Sequence, residues 1–285
     1  MYVAMYTRLL AFALYVLSAA AAPTIERKDT KDPGVFAELH RAAQLSSAAY
    51  SDCQNQAFDV TITKQLDDHE TGTQGFIGYS TTKGRISVAM RGSTSVTDFV
   101  NDLDVDPVTP TLSGVSFPSG VQVMKGVYDP WSSVHDTVIS AVKDLVQKYP
   151  NYTLESTGHS LGGALTYLSY IALAQNFPDK DVTSTALAAF PIGNQAFAEF
   201  GSSINGTLRR GNNLNDGVPN MYVGWPFDMV HYGTEFYSSG NADTTLLCLG
   251  ERDDACSAGN GEWGPTLPGH IDSFGITMLL AGCGQ

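Results

Sequence analysis

The feature that most constrains this 285-residue chain is the segment 158–162, which reads Gly-His-Ser-Leu-Gly. Residues 152–157, rich in β-forming types, precede it, and residues 163–174, apolar nearly all round, follow it. These patterns predict a strand and a buried helix joined by a sharp turn. Such a turn exposes the serine hydroxyl, and its glycines let strand and helix pass closely. The pentapeptide alone would also suit an ordinary glycine-rich turn, so its flanks carry the prediction.

Helix-like and strand-like segments alternate along the rest of the chain. Residues 36–50 and 131–149 have apolar side chains near helical spacing. Residues 76–79 and 86–90 are typical of neighbouring strands joined by a hairpin. Strands that alternate with helices predict an α/β fold with a mostly parallel central sheet covered by helices.

The N-terminal segment has the layout of a secretory signal. Arg8 precedes apolar residues that are too few to span a bilayer and that end in a run of alanines. We expect a signal peptide over about residues 1–21 and a pro-segment or flexible arm over 22–34. Residues 35–285 should form a single domain, since 43% apolar residues suffice for one substantial core. The mature protein is expected to be extracellular, without a stable membrane anchor.

The surface of the chain is predicted to be acidic and partly glycosylated. The formal net charge is −13, which argues against nucleic acid as a partner because phosphates would be repelled. Anionic lipid would be repelled as well, so any attraction to a membrane must be apolar. Secretion makes two sequons candidate glycosylation sites, Asn151 and Asn205.

Four cysteines in a secreted chain suggest two disulfides, for which three connectivities exist. Cys248 and Cys256 flank a polar loop and form a natural local pair. Cys53 and Cys283 would then join the two ends of the domain. No Cys-x-x-Cys or His-x-x-x-His spacing accompanies these cysteines, so no metal site is predicted.

A nucleophilic serine needs a base beside it and a carboxylate that orients the base. In folds with this motif the acid and then the histidine follow the serine in the chain. Two histidines, His231 and His270, lie downstream of Ser160. The residues favour His270, before an apolar C-terminal segment that we expect to be helical, but leave His231 open. His159 adjoins the serine, and its side chain should point away from it.

Asp216 is the favoured carboxylate. It lies in the turn-like residues 213–219 after the strand-like residues 207–210, and acids in this fold are placed on such loops. Three other acids also follow the serine: Asp179, Asp181 and Glu199. These lie in a connection or a helix-like stretch and are better explained as solvated surface charges.

The order and spacing of several motifs resemble the fungal class 3 lipases, the triacylglycerol lipases of filamentous fungi, and their feruloyl esterase relatives. The resemblance covers roughly residues 36–282. The matching segments are Arg91-Gly92-Ser93, residues 158–165, Gly193-Asn194, Asn215-Asp216, Val218-Pro219, residues 233–236, and His270 before Phe274-Gly275. The cysteine pairs inferred above also match the family's. The resemblance implies an α/β-hydrolase fold with a short lid helix.

The resemblance also assigns the site. It implies a catalytic triad of Ser160, Asp216 and His270, with His231 as a structural histidine. Ser93 matches the second donor of the family's oxyanion hole. Leu161 follows the nucleophile, so its backbone N–H is the other donor on mechanistic grounds. Without the resemblance, Ser93 would be read as a turn serine.

Residues 95–103 match the lid helix of the family. Four apolar side chains are spaced i, i+3, i+4 and i+7 on one face: Val96, Phe99, Val100 and Leu103. Closed, this face would cover the serine pocket; open, it would lie against an oil–water surface. The spacing is also compatible with a short surface helix packed on the core.

The function implied is that of a secreted serine carboxylester hydrolase that works through an acyl-enzyme and requires no metal or organic cofactor. We expect a triacylglycerol lipase or a mono- and diacylglycerol lipase that acts as a monomer at an oil–water interface. The alternative is a feruloyl or other soluble-ester esterase, which the apolar side chains of Phe99 and Val100 disfavour. A catalytically silent lipid-binding protein is less favoured still, because every catalytic position is filled.

Overall fold

The chain forms a large mixed sheet with helices on both faces. A computed structural model describes residues 33–95 and 102–284. Its α-helices are α1 (Pro33–Ala48), α2 (Lys125–Lys148), α3 (Leu161–Asn176) and α4 (Gln195–Ser203). Its strands are β1 (Gln56–Ala57), β2 (Val60–Asp68), β3 (Thr73–Ser80), β4 (Arg85–Met90), β5 (Pro107–Val108), β6 (Val123–Met124), β7 (Thr153–His159), β8 (Val182–Leu187), β9 (Thr207–Asn213), β10 (Thr234–Ser238), β11 (Leu246–Leu247), β12 (Asp272–Ser273) and β13 (Ile276–Thr277).

Nine of these strands make the central sheet, in the order β1-β2-β3-β4-β7-β8-β9-β10-β11. The pairs from β4 through β7, β8 and β9 to β10 are parallel. The strands β1 to β4 pair antiparallel at one edge, and β11 pairs antiparallel at the other. The prediction of a mostly parallel sheet is therefore confirmed. The carboxyl ends of β4, β7, β8 and β9 lie side by side along one end of the strands, which is called the carboxyl edge of the sheet below.

Alternate residues of the central strands face different helices. On β4, Ile86, Val88 and Met90 belong to the main core with α2 and α3, whereas Ala89 packs in a separate cluster with Leu45 of α1. Successive side chains of a strand point to opposite faces, so both faces are covered. Helix α3 is buried nearly all round, as its sequence predicts.

Helix α2 is longer than its apolar spacing predicts. It begins at Lys125, six residues before the predicted start at residue 131, and contains Pro130. A proline this close to the N-terminus removes only one intrahelical hydrogen bond. The additional turn also buries Val127 in the main core.

The helix predicted after His270 is wrong. The chain instead forms the β12–β13 hairpin and turns. Phe274 and Gly275 both have positive φ, 48° and 81°, a conformation that reverses the chain and cannot continue a helix. The apolar side chain of Phe274 nevertheless packs against α1, in a cluster with Leu39 and Ala43.

Both disulfides join the pairs that the sequence predicts. Cys53 is bonded to Cys283 across 230 residues, and Cys248 to Cys256 across eight. The first ties the loop after α1 to the C-terminal turn. Among the residues that the structure describes, no helix is long and apolar enough to cross a membrane.

Candidate active site

Ser160 stands at the junction between β7 and α3. Strand β7 ends at His159 and α3 begins at Leu161. The serine between them has φ 60° and ψ −121°, a strained conformation for a residue with a side chain. Its backbone N–H donates to the carbonyl of Leu187 in β8 at 3.0 Å. The strained turn is therefore held by the neighbouring strand.

The two glycines of the motif allow this turn by leaving room for backbone. A Cβ on Gly158 would lie 2.2 Å from the carbonyl oxygen of Gly162. A Cβ on Gly162 would lie 2.3 Å from the carbonyl oxygen of Met90 at the end of β4. Because these neighbours are backbone atoms of regular elements, neither position has space for a side chain.

His270 and Asp216 meet Ser160 at the carboxyl edge of the sheet. The hydroxyl of Ser160 donates to Nε2 of His270 at 3.0 Å, and Nδ1 of His270 donates to Oδ1 of Asp216 at 3.1 Å. All three side chains are fully buried. The geometry is that of a nucleophile, a base and an orienting carboxylate.

Asp216 lies on the turn that follows β9. Its Oδ1 also accepts the backbone N–H of Val218 at 3.0 Å, and its backbone carbonyl accepts Nδ2 of Asn260 at 2.8 Å. Within the described part of the chain, its Oδ2 is buried without a hydrogen-bond partner. Such an oxygen is costly, so the turn must hold the carboxylate against that cost.

The loop before His270 is held by contacts to its backbone carbonyls. Nε2 of His159 donates to the carbonyl of His270 at 2.6 Å, and Nδ2 of Asn213 donates to that of Gly269 at 3.3 Å. The backbone N–H of His270 donates to Thr266 at 2.8 Å. The imidazole is thereby positioned from several sides without a regular element.

His159 points away from Ser160, as the sequence predicts. Its Nδ1 accepts from the hydroxyl of Tyr50 at 3.2 Å, so both ring nitrogens are engaged. Burial and the neighbouring His270 lower the pKa of His159 well below its usual value. The ring is therefore neutral and links Tyr50, after α1, to the candidate base.

His231 does not contact Ser160. Its Nε2 donates to the carbonyl of Pro219 at 2.8 Å, and its Nδ1 accepts from the hydroxyl of Tyr167 at 3.0 Å. Burial and the charge of Arg210 lower its pKa well below the usual value. His231 is thus a neutral tether between α3 and the turn of Asp216. The three competing acids are exposed: Asp179, Asp181 and Glu199.

Known proteins share this architecture. The family described as Lipase (class 3) matches residues 87–224. A secreted alkaline triacylglycerol lipase of Penicillium cyclopium is 59% identical over 279 residues, which are 98% of this chain and 98% of that protein. This chain belongs to the class 3 lipase family.

Solved structures agree with this membership. A triacylglycerol lipase of Penicillium expansum has a TM-score of 0.87 and 61% identity, covering 89% of this chain and 98% of that one. A second triacylglycerol lipase, whose catalytic centre is described as a serine protease triad, has a TM-score of 0.75 and 26% identity, covering 87% and 97%. The α/β-hydrolase fold, carboxylic ester hydrolysis and secretion expected from the sequence are confirmed.

The oxyanion candidates of this class 3 lipase lie, like Ser160, at the carboxyl edge of the sheet. Met90 of β4 pairs with Gly158 of β7 in parallel register, and Ser93 and Leu161 each follow by three residues. The N–H of Leu161, first in α3, belongs to the helix turn without intrahelical acceptors. The hydroxyl of Ser93 donates to the carbonyl of Ser95 at 2.9 Å. The backbone N–H of Leu161 therefore lies beside the nucleophile without an acceptor in its own helix, whereas the hydroxyl of Ser93 is engaged.

Three of the four lid residues of the lipase lie outside the described residues: Val96, Phe99 and Val100. Leu103, the fourth, is partly buried and packs against the main core. A Cβ on Gly126 of α2 would lie 2.7 Å from its Cδ1. The C-terminal end of the predicted lid thus adjoins α2. Both sequon asparagines, Asn151 and Asn205, are exposed.

Sequence reasoning missed the residues that position the triad. Tyr50, Asn213 and Asn260 each fix a backbone or ring atom near His270 or Asp216. Tyr50 carries no motif beyond the end of a predicted helix. The two asparagines resemble ordinary turn residues, because their partners are distant in the chain. Only the folded arrangement reveals these contacts.

Proposed function

We propose that the chain is a secreted triacylglycerol lipase whose catalytic triad is Ser160, His270 and Asp216. The observation that carries the proposal is the buried chain of two hydrogen bonds, 3.0 Å from Ser160 to His270 and 3.1 Å from His270 to Asp216. The substrate class is supported by the 59% identical triacylglycerol lipase of Penicillium cyclopium. We further propose that residues 35–285 form a single domain and that the enzyme is a monomer.

The reaction begins with proton transfer. Nε2 of His270 takes the proton of Ser160 as its oxygen attacks the ester carbonyl, and Asp216 stabilises the imidazolium that forms. The tetrahedral intermediate collapses when the bond to glycerol breaks, and His270 returns the proton to the departing diacylglycerol. An acyl-enzyme on Ser160 remains. Water, deprotonated by His270, then attacks this ester and releases the fatty acid and the free serine.

The intermediate carries a negative oxygen that needs donors. The backbone N–H of Leu161 is one donor, and the start of α3 adds the positive end of its dipole. Ser93 is the second donor, and its hydroxyl leaves the carbonyl of Ser95 to take this role. Its position after β4, parallel to β7, supports this role. Loss of one such donor typically slows an enzyme by about 10²–10³-fold. The cycle uses protein groups and water, with no metal or organic cofactor.

The substrate is an acylglycerol at an oil–water interface. Residues 95–103 act as a lid, with Val96, Phe99, Val100 and Leu103 covering the pocket in solution and facing oil when open. An apolar lid suits a lipid ester better than the polar ester of a feruloyl esterase. The soluble-ester esterase remains the second candidate for the test.

A substrate panel tests the proposal. Trioctanoylglycerol, a diacylglycerol, a soluble p-nitrophenyl ester and methyl ferulate are each assayed below and above their solubility limits. We expect glyceride hydrolysis to rise sharply once an emulsion forms and methyl ferulate to be a poor substrate. A glyceride rate with no such rise contradicts interfacial action, and preferred hydrolysis of methyl ferulate favours the esterase. If Ser160→Ala has the same unfolding midpoint as the unmodified enzyme and still hydrolyses the substrates at the full rate, the triad is contradicted.

A further inference from the structure

Exposed large apolar side chains are concentrated on the loops around Asp216 and His270. In residues 33–95 and 102–284 there are eight: Leu214, Trp225, Phe227, Leu249, Trp263, Leu267, Leu279 and Leu280. Six of them lie between residues 214 and 267, the stretch that separates the turn of Asp216 from His270. None of those described lies before Leu214. Scattered single leucines would be ordinary, whereas a concentrated set of this kind marks an interaction surface.

Two of these loops are anchored on the turn that carries Asp216. Asn220, on this turn, donates through Nδ2 to the carbonyl of Glu262 at 3.0 Å. The backbone N–H of Gly264 donates to the carbonyl of Gly217 at 3.1 Å. Residues 260–268, the Trp263 loop, are therefore fixed to the turn. Residues 221–229, the Trp225 loop, continue from Asn220 itself. Both loops are therefore attached to the turn that carries the Asp216 carboxylate.

The Trp225 loop also reaches the carboxyl edge of the sheet next to Ser160. The ring of Tyr222 packs edge-on against Phe227 and against Phe190, with centroid distances of 5.3 Å in each case. Phe190 follows β8, whose Leu187 accepts the backbone N–H of Ser160. A continuous row of aromatic rings thus runs from the carboxyl edge of the sheet to the exposed loop.

Three of these side chains expose most of their surface to water. Trp225 is 90% exposed, Leu267 68% and Trp263 66%. A tryptophan ring has an apolar body with one polar N–H, which suits the boundary between oil and water. Burial of such area is favourable by about 25 cal/mol per Å². These loops gain this free energy only when something apolar covers them.

The negative charge of the chain indicates which kind of apolar surface these loops can contact. The Trp225 loop contains Asp228 and the Trp263 loop contains Glu262, and the whole chain has a formal charge of −13. An anionic surface would be repelled over about 10 Å at ordinary ionic strength. Neutral glycerides and zwitterionic lipids carry no such penalty. The apolar loops and the acidic chain together fit an uncharged lipid surface.

We propose that Trp225, Phe227, Trp263 and Leu267, here called the apolar rim, insert into a neutral lipid surface and dock the enzyme with Ser160 facing the lipid. The inference rests on the proposed function, since the docked lipid is also the substrate. The rim is anchored on the Asp216 turn and is separate in the chain from the predicted lid, residues 95–103. Docking by the rim therefore does not require the lid to be the membrane-binding element.

The chain carries its own reporters for this test. It has three tryptophans: two in the rim, and Trp131, which is fully buried in α2. Ser160→Ala, which removes hydrolysis during the measurement, is mixed with trioleoylglycerol droplets coated with phosphatidylcholine. We expect the emission of bound protein to shift to shorter wavelength and to be quenched by brominated phosphatidylcholine. Trp225→Phe and Trp263→Phe should each remove part of that quenching. Bound protein whose emission stays unshifted and unquenched overturns the proposal.

Partitioning onto the droplets provides the second measurement. In the Ser160→Ala background we expect Trp225→Ala to bind about tenfold less, which corresponds to partial loss of one buried ring. Leu280→Ala, an exposed leucine in the C-terminal turn with 78% exposure, is the matched control and should bind within about twofold of the parent. Equal losses in both variants overturn the rim, as does unchanged binding of Trp225→Ala with an unchanged unfolding midpoint.

Two further outcomes separate this inference from the proposed function. Stronger binding to droplets that contain phosphatidylglycerol would contradict an uncharged target. A dimer that Trp225→Ala converts to a monomer would make the rim an interface between copies and overturn lipid docking. If rim-dependent docking is observed but the unmodified enzyme does not hydrolyse trioleoylglycerol, the inference stands and the proposed substrate fails. If trioleoylglycerol is hydrolysed but docking does not depend on the rim, the proposed substrate stands and the inference fails.

Discussion

The nucleophile and its two partners are held by different kinds of structure. Ser160 lies between a strand and a helix, where Gly158 and Gly162 pack against backbone atoms. Asp216 and His270 lie on turns and depend on hydrogen bonds to their backbone from side chains distant in the sequence. The nucleophile side is fixed by regular elements, and the loop side by individual tethers.

This difference separates two requirements of the enzyme. Close packing around Ser160 fixes the position of the attacking oxygen but allows no substitution there. Each tether on the loop side contributes only about 1 kcal/mol, so several act together. Loops held from within leave their outer surface free, and the exposed apolar side chains lie there. The nucleophile side therefore sets the chemistry, whereas the loop side can also adapt to the substrate surface.

The largest expected effect distinguishes the two loop-side histidines. His270→Ala should lower kcat by about 10⁴-fold or more, because the base is lost. His231→Gln should keep kcat within about tenfold, since His231 only tethers Tyr167 to Pro219. Both are measured with a soluble ester, with urea unfolding as the control for folding. Comparable inactivation of two folded variants would contradict the assignment of His270 as the base.

The next effect compares one glycine from each side. Gly162→Ala should destabilise the fold by about 3 kcal/mol, because its Cβ would meet the carbonyl of Met90 at 2.3 Å. Gly250→Ala should cost about 1 kcal/mol, since its φ of 69° is strained for alanine but the space is open. Urea unfolding measures both. If Gly250→Ala proves the more damaging, the nucleophile side is not the rigid one.

A pH effect involves one histidine from each side. His159 and His231 have folded pKa values well below the usual 6.5 because they are buried. Their stabilising contribution is complete above the unfolded pKa and is lost as the pH falls below it, because only the unfolded chain takes up the protons. Each should lower the free energy of unfolding by about 1.4 kcal/mol per pH unit below pH 6.5.

Urea unfolding at several values between pH 7.5 and pH 5 measures this slope. The carboxyls of Glu38 and Asp59 lose their contribution at lower pH. Desolvation by burial raises their pKa values, but hydrogen bonds and charge from Arg85 and Arg41 together outweigh it, so both pKa values are lowered. His231→Gln should therefore make the fall of the unfolding free energy with decreasing pH less steep, by the contribution of one histidine. An unchanged slope would mean that folding does not lower the pKa of His231.

The smallest effect concerns the link between the two sides. The hydroxyl of Tyr50 lies 3.2 Å from Nδ1 of His159, which in turn holds the carbonyl of His270. Tyr50→Phe should lower kcat by up to about tenfold at unchanged KM and lower stability by about 1 kcal/mol. Tyr170→Phe, which loses a hydrogen bond to Ile204 away from the triad, should lose similar stability with unchanged kcat. Equal kcat values for both variants would argue against a positioning role.

Local sequence signals were sufficient for the nucleophile side. The glycines, the β-forming run and the buried helix lie within about 25 residues of one another, so each element supports the next. Asp216 and His270 required an added rule of chain order and a family resemblance. Residues alone left His231 as an alternative, because a buried structural histidine and a base have similar sequence surroundings.

The remaining features depend on contacts between distant segments. Phe274 is apolar and suggested a terminal helix, yet it is buried by a turn against α1. Asn213 and Asn260 look like turn residues until the folded chain brings them to Gly269 and Asp216. The strand order of the sheet is also invisible to local patterns, since neighbours such as β4 and β7 are distant in the sequence.

The Cys53–Cys283 disulfide closes a covalent ring of the chain that includes Ser160, Asp216 and His270. A protease outside the cell that cuts one peptide bond within this ring cannot release a fragment, because both pieces stay joined through the sulfur atoms. Exposed loop tips are where such cuts concentrate. A nicked molecule would therefore keep its nucleophile, acid and base in one particle and would fall into two chains only after reduction.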